Sequence, residues 1–153
     1  MDLRARILAS MKQAMKEKDA ERLSTVRLIS AAIKDRDIAA RADGNDDGVD
    51  ETEVMAILGK MTRQRQESAR TYEEAGRLDL AEREMAEIKV IEEFLPKQLS
   101  ADEISLAVET AIADMNASSI RDMGRVMGVL KSKYIGQMDF GHVGPLVKEK
   151  LTA

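Results

Sequence analysis

Apolar residues return every three or four positions along almost the whole of this 153-residue chain. At the start, Leu3, Ile7, Met11 and Met15 share one face at the spacing of an α-helix. Aromatic residues make up only 3% of the sequence, while ten methionines accompany the aliphatic residues, a composition that suits helices packed against helices. The pattern predicts an all-α fold.

Residues typical of helix N-termini mark where the second and third helices begin. Asp19 is placed to cap a second helix, and the polar stretch 41–50 then interrupts the apolar pattern. Asp50 and Glu53 have the spacing of a capping box, in which each residue bonds the backbone of the other, and they precede a long third helix.

The end of this first part is marked by glycine and proline. Gly76 is expected to end the third helix, Asp79 to cap a fourth, and Pro96 to stop the fourth. Four helices are therefore predicted before Pro96.

A second domain is predicted after this proline. Ser100 and Glu103 form another capping box, and the apolar positions that follow fit three short helices. The prediction is a four-helix N-terminal domain over residues 1–96 and a small three-helix C-terminal bundle over residues 100–153.

Several kinds of chemistry lack the residues that they need. The sequence has no cysteine and a single histidine, His142, so disulfides, thiolate zinc sites and cysteine nucleophiles are excluded. No apolar run approaches the roughly 20 residues needed to cross a bilayer. We expect a cytoplasmic protein with no membrane partner and no small-molecule substrate, and we identify no catalytic residue.

Residues 43–48 resemble the start of an EF-hand calcium loop, with oxygen donors at positions 1, 3 and 5 and glycine at position 6. Position 12, which should supply a bidentate glutamate, is Val54, and Glu53 is one residue too early. The stretch is interpreted as a solvated acidic turn, and neither a metal nor another cofactor is expected.

Residues 119–133 carry the most informative pattern. On a helical wheel the apolar side chains gather on one side, and the opposite side is basic and poor in side-chain bulk. That opposite side consists of Arg121, Gly124, Arg125, Gly128, Lys131 and Ser132. Two glycines four residues apart indicate that something approaches this backbone closely, either a crossing helix or a ligand such as a phosphate backbone.

Five short stretches resemble the YqeY-like proteins, and the resemblance extends over essentially the whole chain. They are residues 11–16 (MKQAMK), 22–27 (RLSTVR), 65–68 (RQES), 74–81 (EAGRLDLA) and 92–100 (EEFLPKQLS). The family implies a four-helix part followed by a three-helix part.

The C-terminal part is similar to the tail domain of GatB, the tRNA-binding subunit of a glutamine-dependent amidotransferase. The similarity rests on residues 124–127 (GRVM), Gly136 and Asp139. It implies contact with tRNA or with a tRNA-handling enzyme. The sequence departs from the pattern at Gln137, where relatives carry Lys or Arg.

The leading hypothesis is a non-catalytic, tRNA-associated adaptor module. Its candidate nucleic-acid-binding residues are Arg121, Gly124, Arg125, Gly128, Lys131 and Lys133. The rival is a protein-interaction module that docks a partner helix on the same glycines. The resemblance also brings a family label, carbon-nitrogen ligase with glutamine as amido donor, but the chain has neither a cysteine nucleophile nor a phosphate-binding P-loop.

Overall fold

The fold is all-α, as predicted, in a computed structural model that describes residues 2–152. No strand occurs in that range, and a short 3₁₀ turn, Ile120–Asp122, precedes the sixth helix. The helices are α1 (Leu3–Glu17), α2 (Ala20–Ala42), α3 (Glu51–Glu74), α4 (Leu78–Glu92), α5 (Ala101–Asp114), α6 (Met123–Lys133) and α7 (Phe140–Thr152).

The chain forms two compact units, the first ending at Pro96 and the second beginning at Lys97. Each unit has its own hydrophobic core. None of the helices within residues 2–152 is long and apolar enough to cross a membrane.

In the first unit, α1 packs along α2, and α4 packs against both α3 and α2. Ile29, Leu58 and Ile91 are fully buried at the centre. Removing each such side chain from water stabilises the fold by about 1.5–3 kcal/mol. The buried cluster contains Leu3, Ile7, Val26, Ile29, Ile33, Val49, Val54, Leu58, Met61, Ile91 and Phe94.

The predicted caps of α3 and α4 have different outcomes. The predicted capping box of α3 is confirmed: the Glu53 N–H donates to Asp50 Oδ1 at 2.8 Å, and the Asp50 N–H donates to Glu53 Oε2 at 3.2 Å. The predicted cap of α4 is wrong. This helix begins at Leu78 without a side-chain cap, and Asp79 lies inside its first turn. A hydrogen bond from the Arg77 guanidinium is the main cause that lowers the pKa of Asp79.

The loop between α2 and α3 is tied to both α1 and α2. Arg4 donates two hydrogen bonds to the Asp37 carboxylate and a third to the Val49 carbonyl oxygen at 2.9 Å. The Val49 N–H also donates to Asp37 Oδ1 at 2.9 Å. The bonds from Arg4 and Val49 lower the pKa of Asp37 to about 2. Gly48 has a φ of +82°, and a Cβ there would lie 2.6 Å from Asp37 Oδ1, so this turn requires glycine.

In the second unit, α5, α6 and α7 pack pairwise. Ser100 and Glu103 form the predicted capping box at the start of α5. Val108, Leu130 and Val147 are fully buried in a core of aliphatic residues and Met138.

Candidate nucleic-acid interface

Helix α6 separates an apolar side from a polar side, as its sequence predicts. Val126 and Leu130 are fully buried in the core of the second unit, and Met123 and Met127 pack beside them. The opposite side faces solvent. We call it the glycine face, formed by Gly124, Arg125, Gly128, Lys131 and Ser132, all of which are exposed.

The two glycines of this face meet no neighbour. A Cβ built on Gly124 or Gly128 would find no atom within 4 Å. Packing within residues 2–152 therefore does not require glycine at either position. A chain or ligand that lies on this face can come close to the α6 backbone.

Arg121 lies outside α6, contrary to the continuous helix that the wheel assumed. It belongs to the 3₁₀ turn Ile120–Asp122, which precedes the first residue of α6. The turn is held by Asp122 Oδ2, which accepts hydrogen bonds from the Ser118 and Ser119 N–H groups at 3.0 and 3.3 Å. Arg121 is exposed at the N-terminal end of the glycine face.

The two cations of the glycine face and the neighbouring Arg121 are not equivalent. Arg125 Nη2 donates to Asp122 Oδ1 at 2.7 Å, so a carboxylate already lies beside this guanidinium. The Ser118 N–H, Arg125 and the Ser119 N–H together lower the pKa of Asp122, which keeps that carboxylate charged. Lys131 and Arg121, in contrast, form no ion pair with the residues that the structure describes. These two cations carry the uncompensated charge.

Lys133 lies on another side of α6. At about 100° per residue it is roughly 160° around the helix from Lys131. Its Nζ is 5.6 Å from the centre of the Tyr134 ring, and it borders a small hollow shared with Ala107 and Asp114 of α5. The six candidate residues are thus divided, with Lys133 apart from the other five.

Gly136 has a role that the pattern analysis did not identify. Its φ of +73° lets the chain turn after α6, and its carbonyl oxygen accepts a hydrogen bond from Gln98 Nε2 at 2.6 Å. The Leu99 N–H then donates to the Gln137 carbonyl oxygen at 2.9 Å. The turn secures the segment that leads into α5. A glycine just after a helix is the local signal that could have indicated it.

His142 and the acidic turn are both exposed at the surface. His142 lies in the first turn of α7, with Nε2 3.4 Å from Asp139 Oδ2. In the turn, Asn45 donates to the Gly48 carbonyl oxygen, and its own side-chain oxygen accepts the Asp47 N–H. Among residues 2–152, no three His, Asp or Glu side chains are arranged to hold a metal ion.

Comparison with known proteins decides the family. The family model described as "Yqey-like protein" matches residues 4–151. The chain belongs to the YqeY-like family.

Relatives of this YqeY-like chain are named "Altered inheritance of mitochondria protein 41, mitochondrial". The protein from Vanderwaltozyma polyspora is 34% identical over 107 residues, covering 69% of this chain and 56% of the relative. The protein from Kluyveromyces lactis is 31% identical over 74% of this chain and 60% of its own length. The protein from Pyrenophora tritici-repentis is 26% identical over 97% of this chain and 80% of its own length. The match thus spans less than two thirds of the first two relatives, and none of these names states a reaction.

In the first unit, Arg22, Arg65 and Glu93 of the YqeY-like stretches form hydrogen bonds between segments. Arg22 forms a bidentate ion pair with Glu93, and Arg6 donates to the Glu93 carbonyl oxygen at 2.9 Å. Arg65 Nε donates to Glu87 Oε2 at 2.8 Å, joining α3 to α4. These contacts account structurally for arginines and glutamates that the resemblance alone left without a role.

Proposed function

We propose that the second unit is a non-catalytic module that contacts the phosphate backbone of tRNA through the glycine face and Arg121. The observation that carries the proposal is the open space over Gly124 and Gly128. Neither glycine serves packing within the described chain, although each costs about 1 kcal/mol of helix stability relative to alanine. Close approach of a ligand offers a reason for both.

The charges beside the glycines favour a phosphate backbone as that ligand. Arg121 and Lys131 are exposed and uncompensated, whereas Arg125 shares its charge with Asp122. Each uncompensated cation can release one counterion from the nucleic acid. Gln137 offers no further charge, so the expected affinity is weak, in the micromolar class of non-specific binding.

The test measures binding of fluorescently labelled tRNA to the full chain by anisotropy at several salt concentrations. The double variant Arg121→Glu, Lys131→Glu should bind more weakly, and the slope of log K against log salt should become shallower by roughly two units. Lys133→Glu reverses one charge on another side of the same helix and is the matched control for the single variant Lys131→Glu. It should change affinity much less.

A second variant examines the position where this chain departs from the resemblance. Gln137→Lys should strengthen tRNA binding, because it adds a cation to the turn that follows α6. If the unaltered protein shows no salt-dependent binding at low ionic strength and Gln137→Lys adds none, the tRNA proposal is wrong.

The second candidate function is docking of a partner helix, such as one from a tRNA-handling enzyme. The same open glycines favour it, because small residues four apart let two helix backbones come close, and the exposed Val129 lies next to them. Capture of partners from cell extract, with and without ribonuclease, separates the two functions. Partners that remain after ribonuclease treatment would favour helix docking.

We further propose that this chain does not itself perform the ligase reaction suggested by the family label. The support is the lack of cysteine in the sequence and the pairing of acidic residues such as Glu87 and Glu93 with arginines. Glutamine-dependent release of ammonia by the purified protein would contradict this. A cytoplasmic location also remains a proposal, since the relatives are named as mitochondrial proteins.

A further inference from the structure

Asp122 places a negative charge at the N-terminal end of the glycine face. It is the last residue of the 3₁₀ turn and immediately precedes α6. Its Oδ2 accepts hydrogen bonds from the Ser118 and Ser119 N–H groups, and its Oδ1 accepts one from Arg125 Nη2. Both carboxylate oxygens are therefore engaged, and the carboxylate is held against the loop that leads into α6.

The two members of the Asp122–Arg125 ion pair differ in their freedom to move. The Asp122 side chain is 21% exposed and is tied to two backbone groups, whereas the Arg125 side chain is 60% exposed. The space over Gly124 and Gly128 is open, so the guanidinium has room to swing across the glycine face. Asp122 is thus the fixed member of the pair, and it stays in place when a ligand approaches.

A fixed carboxylate changes what a phosphate group meets at this end of the face. A guanidinium has five N–H donors, so Arg125 can contact a phosphate while one donor remains on Asp122. If the guanidinium instead leaves Asp122, the carboxylate is left uncovered beside the phosphate. The net charge of the pair is zero in both arrangements, and the release of counterions from a nucleic acid depends on net neutralising charge.

We propose that Asp122 limits the affinity of the glycine face for tRNA by cancelling the charge of Arg125. This inference rests on the proposed function, because it concerns the same surface and the same phosphate groups. Arg121 and Lys131 supply the charge that attracts the nucleic acid. Arg125 adds hydrogen bonds but no net charge as long as residue 122 is acidic.

The structural role of Asp122 does not require its negative charge. The Ser118 and Ser119 N–H groups need an oxygen acceptor, and the side chain of asparagine also supplies one. The Asp122 side chain makes no capping hydrogen bond to α6 itself. Asp122→Asn should therefore keep the turn and remove only the charge.

The test measures binding of fluorescently labelled tRNA to the full chain by anisotropy, between about 50 and 200 mM salt. Asp122→Asn should bind about tenfold more tightly at the lower salt concentration, because Arg125 becomes a third uncompensated cation. The slope of log K against log salt should become steeper by roughly one unit, so the gain should shrink about fourfold across this range.

Glu109→Gln is the matched control. Glu109 pairs with Lys150 at 2.8 Å, so this variant also removes the acid of an ion pair and makes the same change in net charge. The pair joins α5 to α7, and both helices pack on the buried side of α6. Glu109→Gln should therefore change tRNA affinity much less than Asp122→Asn.

A double variant tests whether the gain depends on Arg125. Asp122→Asn combined with Arg125→Gln removes both charges of the pair and should lose the gain of Asp122→Asn alone. Circular dichroism and thermal melts of each variant check that the second unit remains folded.

An equal gain in Asp122→Asn and Glu109→Gln would reflect net charge alone and would overturn the role of Asp122. A gain that persists without Arg125 would do the same. If the unaltered protein binds tRNA through Arg121 and Lys131 but a folded Asp122→Asn binds no more tightly, this inference is wrong and the proposed function stands. If neither the unaltered protein nor Asp122→Asn binds tRNA, both are wrong.

Discussion

The two units differ in how many of their basic residues are left without an acidic partner. In the first unit, Arg4, Arg22 and Arg65 each bind a carboxylate of another segment, and these ion pairs join helices to one another. In the second unit, Lys150 on α7 pairs with Glu109 on α5, but Arg121 and Lys131 face solvent. Cations that hold helices together are not available to a ligand, whereas Arg121 and Lys131 are.

The units also differ in the length of their helices and in the number of residues that they contain. Helices α2 and α3 contain 23 and 24 residues, whereas α6 contains 11. A unit of fewer than about 60 residues buries a smaller fraction of its surface and has a small margin of stability. We therefore expect the second unit to unfold more easily than the first.

The largest expected effect comes from the core of the second unit. Leu130 is fully buried, and Leu130→Ala should cost about 2–5 kcal/mol through lost burial and a residual cavity. We expect hydrogen exchange to show unfolding after Lys97 while α1 to α4 stay protected, and limited proteolysis to leave a fragment ending near Pro96. Equal loss of protection in both units would show that they do not unfold independently.

A medium effect is expected at the Arg4–Asp37 pair of the first unit. The pKa of Asp37 is lowered to about 2. Above the ordinary pKa of an aspartate, the charged carboxylate therefore stabilises the fold. This stabilisation is lost as the pH falls toward 2. Asp37→Asn should cost about 1–2 kcal/mol at neutral pH. Urea unfolding at several pH values measures the difference in unfolding free energy between the unaltered protein and Asp37→Asn, and this difference should shrink in acid. If it does not change with pH, the ion pair is not its cause.

A smaller effect on stability is expected when glycine is replaced by alanine, and its sign should differ between the two units. Gly124→Ala and Gly128→Ala should each stabilise α6 by about 0.5–1 kcal/mol, because the space over them is open. If a ligand approaches there, the same changes should weaken tRNA binding. Gly48→Ala should instead destabilise the first unit, because the added Cβ would press on Asp37 at a positive φ. Thermal melts measure all three, and destabilisation by Gly128→Ala would show that its face is not open.

The smallest expected effect is that of calcium. The twelfth position of the loop is Val54, which is buried in the core, and the Glu53 carboxylate accepts the Asp50 N–H. Millimolar calcium should therefore leave the melting temperature within about one degree. A rise of several degrees that a chelator reverses would restore the EF-hand interpretation.

What the sequence by itself determined is the local structure. Helical periodicity identified the helices, and the capping boxes at Asp50 and Ser100 formed where spacing placed them, because both partners lie within one turn. The missed cap at Asp79 is a shift of two residues from the observed N-cap, Arg77, and local patterns resolve helix ends poorly. The face that carries Gly124 was also evident from the wheel.

Only the tertiary structure decided which polar groups meet across the chain. Arg22 and Glu93 are 71 residues apart, so no spacing rule connects them. Gly48 and Gly128 are both followed by valine in the sequence, yet a Cβ on the first would meet Asp37 and a Cβ on the second would meet open space. The physical reason is that a residue's neighbours through space depend on how helices pack, whereas periodicity and capping depend only on neighbours along the chain.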